Sequence, residues 1–228
     1  MFAHGRKDRL TEYDLGRFPG DSLFDRLARA VCRAGCLPRK ELYEAWEVAR
    51  RVRRRMRGGR VVDLAAGHGL LAHVLLLLDD TSPEAIAVDT TRPPCAVALH
   101  DALIDAWPRL AGRVTFVEAA VETVALAATD VVVSSHACGA LTDVVLDRAA
   151  AAGARVAVLP CCHDVDTCDA GPLTGWMAAP LAIDARRAMR LEARGYRVRA
   201  ERIPDDVTPK NRLLLAEPAA SAALTGSR

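Results

Sequence analysis

Two short stretches of the sequence end apolar runs with histidine and cysteine. The stretch DVVVSSHACGALTD places His136 and Cys138 after a run of valines, and VAVLPCCHD places Cys161, Cys162 and His163 after a second apolar run. If both runs are parallel strands of one sheet, their carboxyl ends lie at the edge where such sheets bind ligands. The five side chains are therefore predicted to cluster there. The candidate catalytic residues among them are His136, Cys138, Cys161 and His163.

Proton transfer and nucleophilic attack both suit these side chains. An acceptor hydroxyl must lose its proton, and His136 or His163 could take it, because the pKa of histidine lies near the working pH of most enzymes. Cys161 or Cys162 could instead add covalently to a base before it is modified. Both alternatives place the chemistry at the ends of the two strands.

A zinc site is a third alternative. Cys161, His163 and Cys168, with Cys138 or His136, contain the ligand types that zinc prefers. The sequence has no C-x-x-C pair, and two adjacent cysteines rarely bind one ion together. The prediction is therefore that no metal is bound.

A glycine-bearing stretch, VVDLAAGHGLLAH, begins at Val61 and predicts a strand, a turn and a helix. Gly67 and Gly69 would let the backbone approach a ligand, and the following helix N-terminus favours an anionic or hydrogen-bonding group. As a G-x-G-x-x-A pattern it is only a weak dinucleotide fingerprint. Asp63 ends this strand, and Asp89 ends the next one, where an acid can accept hydrogen bonds from ribose hydroxyls.

Two alternatives to a cofactor site of this kind stay open. The glycines could serve only the turn, or the loop could hold a nicotinamide dinucleotide. Asp63 distinguishes the second alternative, because its negative charge would lie near the pyrophosphate and repel it.

The remaining elements must hold these residues in place. After Arg60, apolar runs rich in β-branched residues alternate with helical stretches, which is typical of parallel strands covered on both faces. YRVRAERIP and NRLLLAEP then follow each other with only DDVTPK between them, which predicts a hairpin. The sequence therefore predicts an α/β, Rossmann-like fold with a seven-stranded, mostly parallel sheet and an antiparallel last strand.

Three segments are predicted along the chain. Residues 1–59 form an N-terminal helical extension, in which Gly35 ends one helix and Pro38 begins the next. Residues 60–218 form the catalytic domain. Residues 219–228 are small and polar and are predicted to be a disordered tail.

The glycine loop, its two acids and the antiparallel last strand resemble those of class I S-adenosylmethionine-dependent methyltransferases. One departure is Ala65, which stands where the usual D-x-G-x-G-x-G has its first glycine. The resemblance implies S-adenosylmethionine as cofactor, with its amino-acid end near Asp63, its ribose at Asp89 and its adenine beside residues 118–122. The residues implied to bind it are Asp63, Leu64, Ala65, Ala66, Gly67, Gly69, Asp89, Thr90, Ala120, Val121, Ser135 and His136.

A narrower resemblance rests on SSHACGALTD, PCCH and the TPKN before the last strand. These are similar to one group of methyltransferases, which includes the eukaryotic tRNA acceptor-stem 2′-O-methyltransferase and the methyltransferase domain of the glutathione S-transferase C-terminal domain-containing protein. The resemblance covers roughly residues 61–218. The zinc-finger regions of the tRNA enzyme have no counterpart here, so its substrate does not carry over. A methyltransferase is implied, with RNA (a 2′-hydroxyl or a base) as the first substrate class and a protein or small molecule as the second.

A run of arginines bears on the substrate. ARRVRRRMR carries six arginines in the eight residues from Arg50, which suits either phosphate binding or a solvated helix end. Arg54 in this run and Lys210 and Asn211 in TPKN are the predicted substrate contacts. A cofactor-binding partner protein without activity is the remaining alternative. Blockage of the acceptor channel by the N-terminal helices would favour it, and an open channel rimmed by the arginines would favour RNA.

The composition limits which classes of function the sequence supports. The net charge is only +2 and aromatic residues make up 4%, so neither the overall charge nor a broad stacking platform argues for nucleic acid. The longest apolar run, LLAHVLLLL, is too short to cross a membrane, and the charged start of the sequence shows no signal peptide. Seven cysteines without regular spacing predict free thiols and a cytoplasmic location. The oligomeric state is left open.

Overall fold

The structure is a computed structural model that describes residues 8–219. Residues 220–228, which make up all but one residue of the predicted tail, lie outside the described residues, as do residues 1–7 at the charged start. The seven strands are β1 (Val61–Leu64), β2 (Ala85–Asp89), β3 (Val114–Glu118), β4 (Val131–Ser134), β5 (Arg155–Val158), β6 (Tyr196–Arg202) and β7 (Arg212–Pro218). The six α-helices are α1 (Leu23–Ala34), α2 (Arg39–Arg55), α3 (Leu70–Leu78), α4 (Pro94–Ala106), α5 (Leu141–Ala152) and α6 (Ala179–Ala193).

The strands form one sheet in the order β3-β2-β1-β4-β5-β7-β6. Strands β1 to β5 are parallel, and β7 lies antiparallel between β5 and β6. All four residues of β1 and of β4 are buried, including Asp63 and Ser134, as expected for strands covered on both faces. The predicted fold class, a mostly parallel Rossmann-like sheet with an antiparallel last strand, is confirmed.

The N-terminal helices begin and end at the predicted signals. The hydroxyl of Ser22 accepts a hydrogen bond of 3.1 Å from the amide of Asp25 and caps α1. Gly35 follows α1 with φ 67°, a left-handed conformation that glycine adopts without steric cost. Pro38 precedes α2, where a missing amide hydrogen costs no helical bond. Within residues 8–219, none of the helices combines the length and apolar character needed to cross a membrane.

The two faces of the sheet carry different helices. Buried residues of α1, α2, α3 and α4 share one hydrophobic cluster with β4, β5 and β7, in which Val48 and Val52 of α2 lie with Val131 and Leu215. Buried residues of α5 and α6 form the second cluster with the opposite face. Apolar burial of this kind is the main force holding the helices to the sheet. The helices before residue 60 therefore share a core with the sheet, and the predicted boundary after residue 59 stays a prediction.

Two cysteines form a disulfide that the sequence did not indicate. Cys36, just after α1, is bonded to Cys95 in the first turn of α4, and their Cα atoms lie 5.6 Å apart. The prediction of free thiols is wrong for this pair, because the packing of α1 on α4 brings together residues that are 59 positions apart. The other five cysteines are free thiols. The cytoplasmic location stays a prediction.

Candidate active site

The loop after β1 turns sharply because three of its residues have left-handed backbone. Their φ angles are 54° at Ala65, 55° at Gly67 and 76° at Gly69. Gly69 lies against β2, where an added Cβ would approach the Ala87 side chain to 3.1 Å, whereas nothing lies within 4 Å of the equivalent position at Gly67. The amide of Gly67 donates a hydrogen bond of 2.8 Å to Oδ2 of Asp89. The loop is thus tied to the end of β2 and leaves open space beside Gly67.

Asp63, on β1, is a buried acid with an unpaired oxygen. It is 2% exposed, and its Oδ2 has no hydrogen-bond partner among the described residues. Burial raises the pKa of Asp63 to about 8, against a hydrogen bond from the backbone of Ala72 that lowers it. The buried hydroxyls of Ser134 and Ser135 also lack a partner within residues 8–219. Buried polar atoms without partners cost free energy, so this set suits a polar or cationic ligand group.

The loops after β2 and β3 lie beside each other at the same edge. The amide of Thr90 donates to Oδ1 of Asp89 over 2.8 Å, and the amide of Ala119 donates to the Asp89 carbonyl over 2.9 Å. Thr90 and Ala120 are exposed, whereas Val121 is buried. The acid that ends β2 therefore lies between the glycine loop and the segment after β3.

Leu64, which ends β1, and Ala66, which lines a small pocket with Asp63, Ser135 and His136, are the other predicted cofactor residues of this stretch. Leu64 is fully buried in the second hydrophobic cluster, and Ala66 is buried while its amide donates to the carbonyl of Val88 over 2.9 Å. That hydrogen bond holds the loop's backbone in place. The partnerless oxygens of Asp63, Ser134 and Ser135, together with the open space beside Gly67, fit the polar amino-acid end and the sugar of S-adenosylmethionine.

Glu41 of α2 meets two histidines at this edge. Its Oε2 lies 2.5 Å from Nε2 of His68, while the amide of Leu70 donates to Nδ1 of His68 over 3.2 Å. His68 therefore carries its proton on Nε2 and donates it to Glu41. The ligand atoms of Glu41, His68 and His136 all lie within 4.8 Å of one another.

The electrostatics of this group follow from burial and pairing. Burial alone would raise the pKa of Glu41, but the hydrogen bond and charge of His68 outweigh it and lower that pKa. Burial lowers the pKa of His136, which keeps its imidazole neutral. An ionised carboxylate thus lies next to a neutral imidazole at the end of β4.

Three thiols meet at the ends of β4 and β5. The Sγ atoms of Cys138 and Cys161 lie 3.2 Å apart, and those of Cys161 and Cys162 lie 3.7 Å apart. Lys210 Nζ lies 3.9 Å from Cys162 Sγ. Burial, followed by the neighbouring thiols, raises the pKa of Cys161 to about 12. The hydrogen bond from Cys138 is the largest cause of the lowered pKa of Cys162, and Lys210 contributes.

His163 and Cys168 lie apart from these thiols, in a network around α6. His163 Nε2 lies 2.7 Å from Oδ1 of Asp184, and the fully buried Arg187 donates to the same oxygen over 3.2 Å. Arg187 also donates to the carbonyl of Gly139 over 2.9 Å and to the sulfur of Cys168 over 3.6 Å. The network ties the segments after β4 and β5 to α6. The structure thus brings the three predicted cysteines together, places His136 with Glu41, and places His163 with Asp184.

The predicted substrate contacts fall in three different surroundings. Asn211 is buried, and its Nδ2 donates to the carbonyl of Ile203 over 3.1 Å, so it holds the turn between β6 and β7. Lys210 is exposed beside the thiols. Arg54 is exposed near the end of α2.

The arginine run extends from the end of β6 to the amino ends of β1 and β5. The carbonyl of Arg57 accepts a hydrogen bond of 2.7 Å from Arg155, the first residue of β5, and β1 begins four residues after Arg57. Arg57 pairs with Asp79 at 3.3 Å, and Arg51 pairs with Glu201 at 3.7 Å. Arg57 therefore lies at the amino ends of the parallel strands, whereas Arg51 reaches the carboxyl end of β6, where its Nε donates to the carbonyl of Arg202 over 3.1 Å. The side chain of Arg202 in turn contacts Asn211.

Comparison with known proteins decides the family. Residues 40–166, more than half of the chain, match the family described as a methyltransferase domain. The chain belongs to the methyltransferase domain family. The predicted class I fold, the enzyme class and the cofactor S-adenosylmethionine are confirmed for this methyltransferase domain, whereas the narrower tRNA-enzyme group is not. A search of curated protein sequences finds no significant match.

Solved structures share the fold of the methyltransferase at low sequence identity. An O-methyltransferase family protein from Burkholderia thailandensis has 20% identity and a TM-score of 0.54, covering 93% of this chain and 64% of its own. The S-adenosylmethionine-dependent methyltransferase SibL has 20% identity and a TM-score of 0.53, covering 93% of this chain and 66% of its own. The B. subtilis M1A22 tRNA methyltransferase TrmK has 15% identity and a TM-score of 0.52, covering 76% of this chain and 66% of its own. The chain thus spans about two thirds of the length of each.

The sequence patterns did not identify two charged residues of the methyltransferase's site, Glu41 and Arg187. Glu41 is four residues before Ala45, which is buried, so a carboxylate lies on the face of α2 that packs on the sheet. Ile183, Arg187 and Leu191 recur at intervals of four, and all three are buried. A charged residue on the apolar face of a predicted helix is the signal that could have found both.

Proposed function

We propose that this methyltransferase transfers the methyl group of S-adenosylmethionine to a hydroxyl group, and that an RNA 2′-hydroxyl is its acceptor. One observation carries the first part: His136 lies at the end of β4 with its ring within 4.8 Å of the Glu41 carboxylate. A hydroxyl acceptor must lose a proton as the new bond forms, and a buried imidazole beside a carboxylate is suited to take it.

The buried oxygens of Asp63, Ser134 and Ser135 that lack hydrogen-bond partners support a binding site for the cofactor beside them. Asp63 would pair with the cofactor's ammonium group, the hydroxyls of Ser134 and Ser135 would hydrogen-bond its amino-acid end, and Asp89 would accept hydrogen bonds from its ribose. When bound, S-adenosylmethionine supplies an electrophilic methyl group on a sulfonium centre. The protein's task is then mainly to orient the acceptor and exclude water, since most of the catalysis of such a displacement is positioning.

The proton moves within the group at the end of β4. A ring nitrogen of His136 takes the acceptor's proton, and the carboxylate of Glu41 stabilises the imidazolium that results. His68 donates its Nε2 proton to Glu41, which fixes the carboxylate and keeps it ionised. Glu41 lies on α2, His68 lies in the loop after β1, and His136 follows β4, so three separate elements bring the group together.

RNA as the acceptor is supported by the resemblance of SSHACGALTD, PCCH and TPKN to the tRNA acceptor-stem group and by the exposed Lys210 at this edge. TrmK, a tRNA methyltransferase by its name, shares the fold. The arginine run adds little support, because four of its six side chains pair with acids of this chain: Arg50 with Glu47, Arg51 and Arg55 with Glu201, and Arg57 with Asp79.

A small apolar molecule with a hydroxyl group is the second candidate. A cavity of about 630 Å³ lies between α6 and the β6–β7 hairpin, and Leu181, Ala188, Leu213 and Leu214 line it. Asp184, the partner of His163, also lines this cavity. Its size and apolar lining are those of a small-molecule site.

The test is transfer of radiolabelled methyl groups from S-adenosylmethionine to total tRNA and to a panel of phenols. Label in RNA that survives alkaline hydrolysis as a resistant dinucleotide is expected, because a 2′-O-methyl group blocks cleavage of the adjacent phosphodiester. Glu41→Gln should abolish most of it, whereas Glu47→Gln, on the same helix but paired with arginines, should not.

Each alternative has its own outcome. Label in a nucleobase would overturn the hydroxyl acceptor, and label in phenols alone would favour the second candidate. Intact cofactor binding without transfer to any acceptor would indicate a partner protein without activity.

A further inference from the structure

The three thiols of Cys138, Cys161 and Cys162 form a compact group that the proposed methyl transfer does not use. We propose that they bind one zinc ion. Three thiolates with a fourth position left to solvent are a ligand set that zinc accepts.

The distances between the sulfurs match the size of a zinc–thiolate centre. A zinc–sulfur bond of about 2.3 Å in tetrahedral geometry separates two ligand sulfurs by about 3.8 Å. The Cys161–Cys162 pair lies at 3.7 Å and the Cys138–Cys161 pair at 3.2 Å, and all three sulfurs lie within 4.8 Å of one another. The adjacent cysteines Cys161 and Cys162, a pair that rarely shares an ion, are thus already at ligand spacing, and Cys138 would have to move away from Cys161 by about 0.6 Å.

The surroundings of the group suit its charge. Each thiol that binds zinc loses its proton to solvent, so three thiolates around a divalent ion leave one net negative charge. Lys210 Nζ lies 3.9 Å from the sulfur of Cys162 and offsets that charge. Zinc is preferred over magnesium or calcium because thiolates are soft ligands.

Core packing does not explain the group. A cysteine that merely fills space behaves as a small buried hydrophobe, but Cys138 is exposed and Cys161 and Cys162 are half-buried. Their loops are held from outside the group, since Arg187 bonds the carbonyl of Gly139 next to Cys138. The ligands are thus positioned before an ion arrives.

Metal content and thiol reactivity test the site without any assay of methyl transfer. The full chain is loaded with Zn²⁺ in the presence of a thiol-free reductant, desalted and measured for zinc by mass spectrometry. We expect one equivalent in the wild type and in Cys32→Ala, whose thiol is buried in α1 away from the site. Cys138→Ser and Cys161→Ser should each weaken zinc binding at least tenfold. Substitution by Co²⁺ should give a sulfur-to-metal charge-transfer band in the wild type that weakens in both serine variants.

A second measurement uses only the wild-type protein, so it tests the site even if the variants fail to fold. Zn²⁺ should protect Cys138, Cys161 and Cys162 together from alkylation, and a chelator should restore their reactivity. Absence of bound zinc in the wild type, or zinc retained at full strength in Cys161→Ser, would overturn the proposal. So would a disulfide between any two of the three thiols in protein kept under reductant, detected in the proteolytic peptides that contain them, because the Cys36–Cys95 bond also lowers the intact mass by two hydrogens.

Discussion

The carboxylate of Glu41 lies 2.5 Å from Nε2 of His68 and joins α2 to the glycine loop after β1. The same carboxylate lies beside His136 at the end of β4. One acid from the N-terminal helices therefore connects the predicted cofactor loop to the predicted acceptor side of the site.

Glu41→Gln should lower kcat by about 10- to 100-fold, because the imidazolium of His136 would lose its stabilising charge. The affinity for S-adenosylmethionine should change little, since the substitution keeps the shape of the side chain. Steady-state kinetics with the acceptor found in the labelling assay measure kcat, and calorimetric titration measures the affinity for the cofactor. Glu47→Gln on the same helix is the control and should leave both unchanged. A tenfold loss of cofactor affinity with unchanged kcat would contradict the assignment.

Binding of S-adenosylmethionine should depend on pH through Asp63. Burial raises the pKa of Asp63 to about 8, so below that pH the carboxyl is protonated and must lose its proton to pair with the cofactor's ammonium group. Affinity should therefore rise about tenfold from pH 6 to pH 7 and pass through a maximum near pH 8, since an α-amino group of pKa about 8 loses its own proton above that pH.

Calorimetry in buffers of different ionisation enthalpy measures the proton that Asp63 loses on binding. Asp63→Asn should bind the cofactor about 10- to 100-fold more weakly at pH 8 and lose the rise in affinity below that pH. The matched control is Asp80→Asn, since Asp80 is exposed and pairs with Arg109 at 2.7 Å away from the site. A pH-independent affinity in the wild type would remove Asp63 from the cofactor site.

Ala65→Gly should stabilise the protein by up to about 1 kcal/mol. The left-handed conformation costs a non-glycine residue about 1–2 kcal/mol, and the greater freedom of glycine in the unfolded chain offsets about 0.5–1 kcal/mol of the gain. Ala66→Gly, one residue on, should destabilise instead, because Ala65 is the one non-glycine residue with positive φ among residues 8–219. Urea unfolding of the two variants tests the difference in sign.

Acid should destabilise the fold through His73. This histidine of α3 is 3% exposed, and burial lowers its pKa from 6.5 to about 4. Between those values the unfolded chain binds a proton that the folded protein does not, so stability falls as the pH drops, by about 2.5 kcal/mol at pH 4.5.

His73→Gln keeps a donor for the carbonyl of Gly69, which His73 Nδ1 contacts at 2.7 Å, and removes the titration. Urea unfolding at pH 7 and pH 4.5 should show a smaller loss in the variant by about that amount. Equal losses in the two proteins would show that other groups carry the acid sensitivity.

The bond between Cys36 and Cys95 should add about 4 kcal/mol to the free energy of unfolding, as a closed loop of this length constrains the unfolded chain. A phosphine reductant should lower the melting temperature of the wild type. The Cys36→Ser, Cys95→Ser double variant should have a lower melting temperature, which the reductant should not change. A wild-type transition that does not respond would mean that the two thiols are not joined in solution.

The sequence by itself predicted the sheet and much of its functional edge. Runs of valine and alternating helical stretches encode burial directly, so each strand is visible from its own few residues. Because parallel strands end at one edge, Asp63, Asp89, His136 and the three cysteines could be placed there without knowing how the helices pack.

Only the tertiary structure decided the partners of these side chains. Glu41 meets His68, His163 meets Asp184, and Cys36 meets Cys95 across separations that no local pattern encodes. The path of α2 across the sheet puts its first turn beside His68, Arg51 beside Glu201 of β6 and the carbonyl of Arg57 beside Arg155. A substrate contact by Arg54 stays a prediction. The placements of these side chains depend on how helices pack against the sheet, which is a sum of many weak contacts between distant residues. The periodicity of the sequence shows which side of a helix is buried, but not what it will lie against.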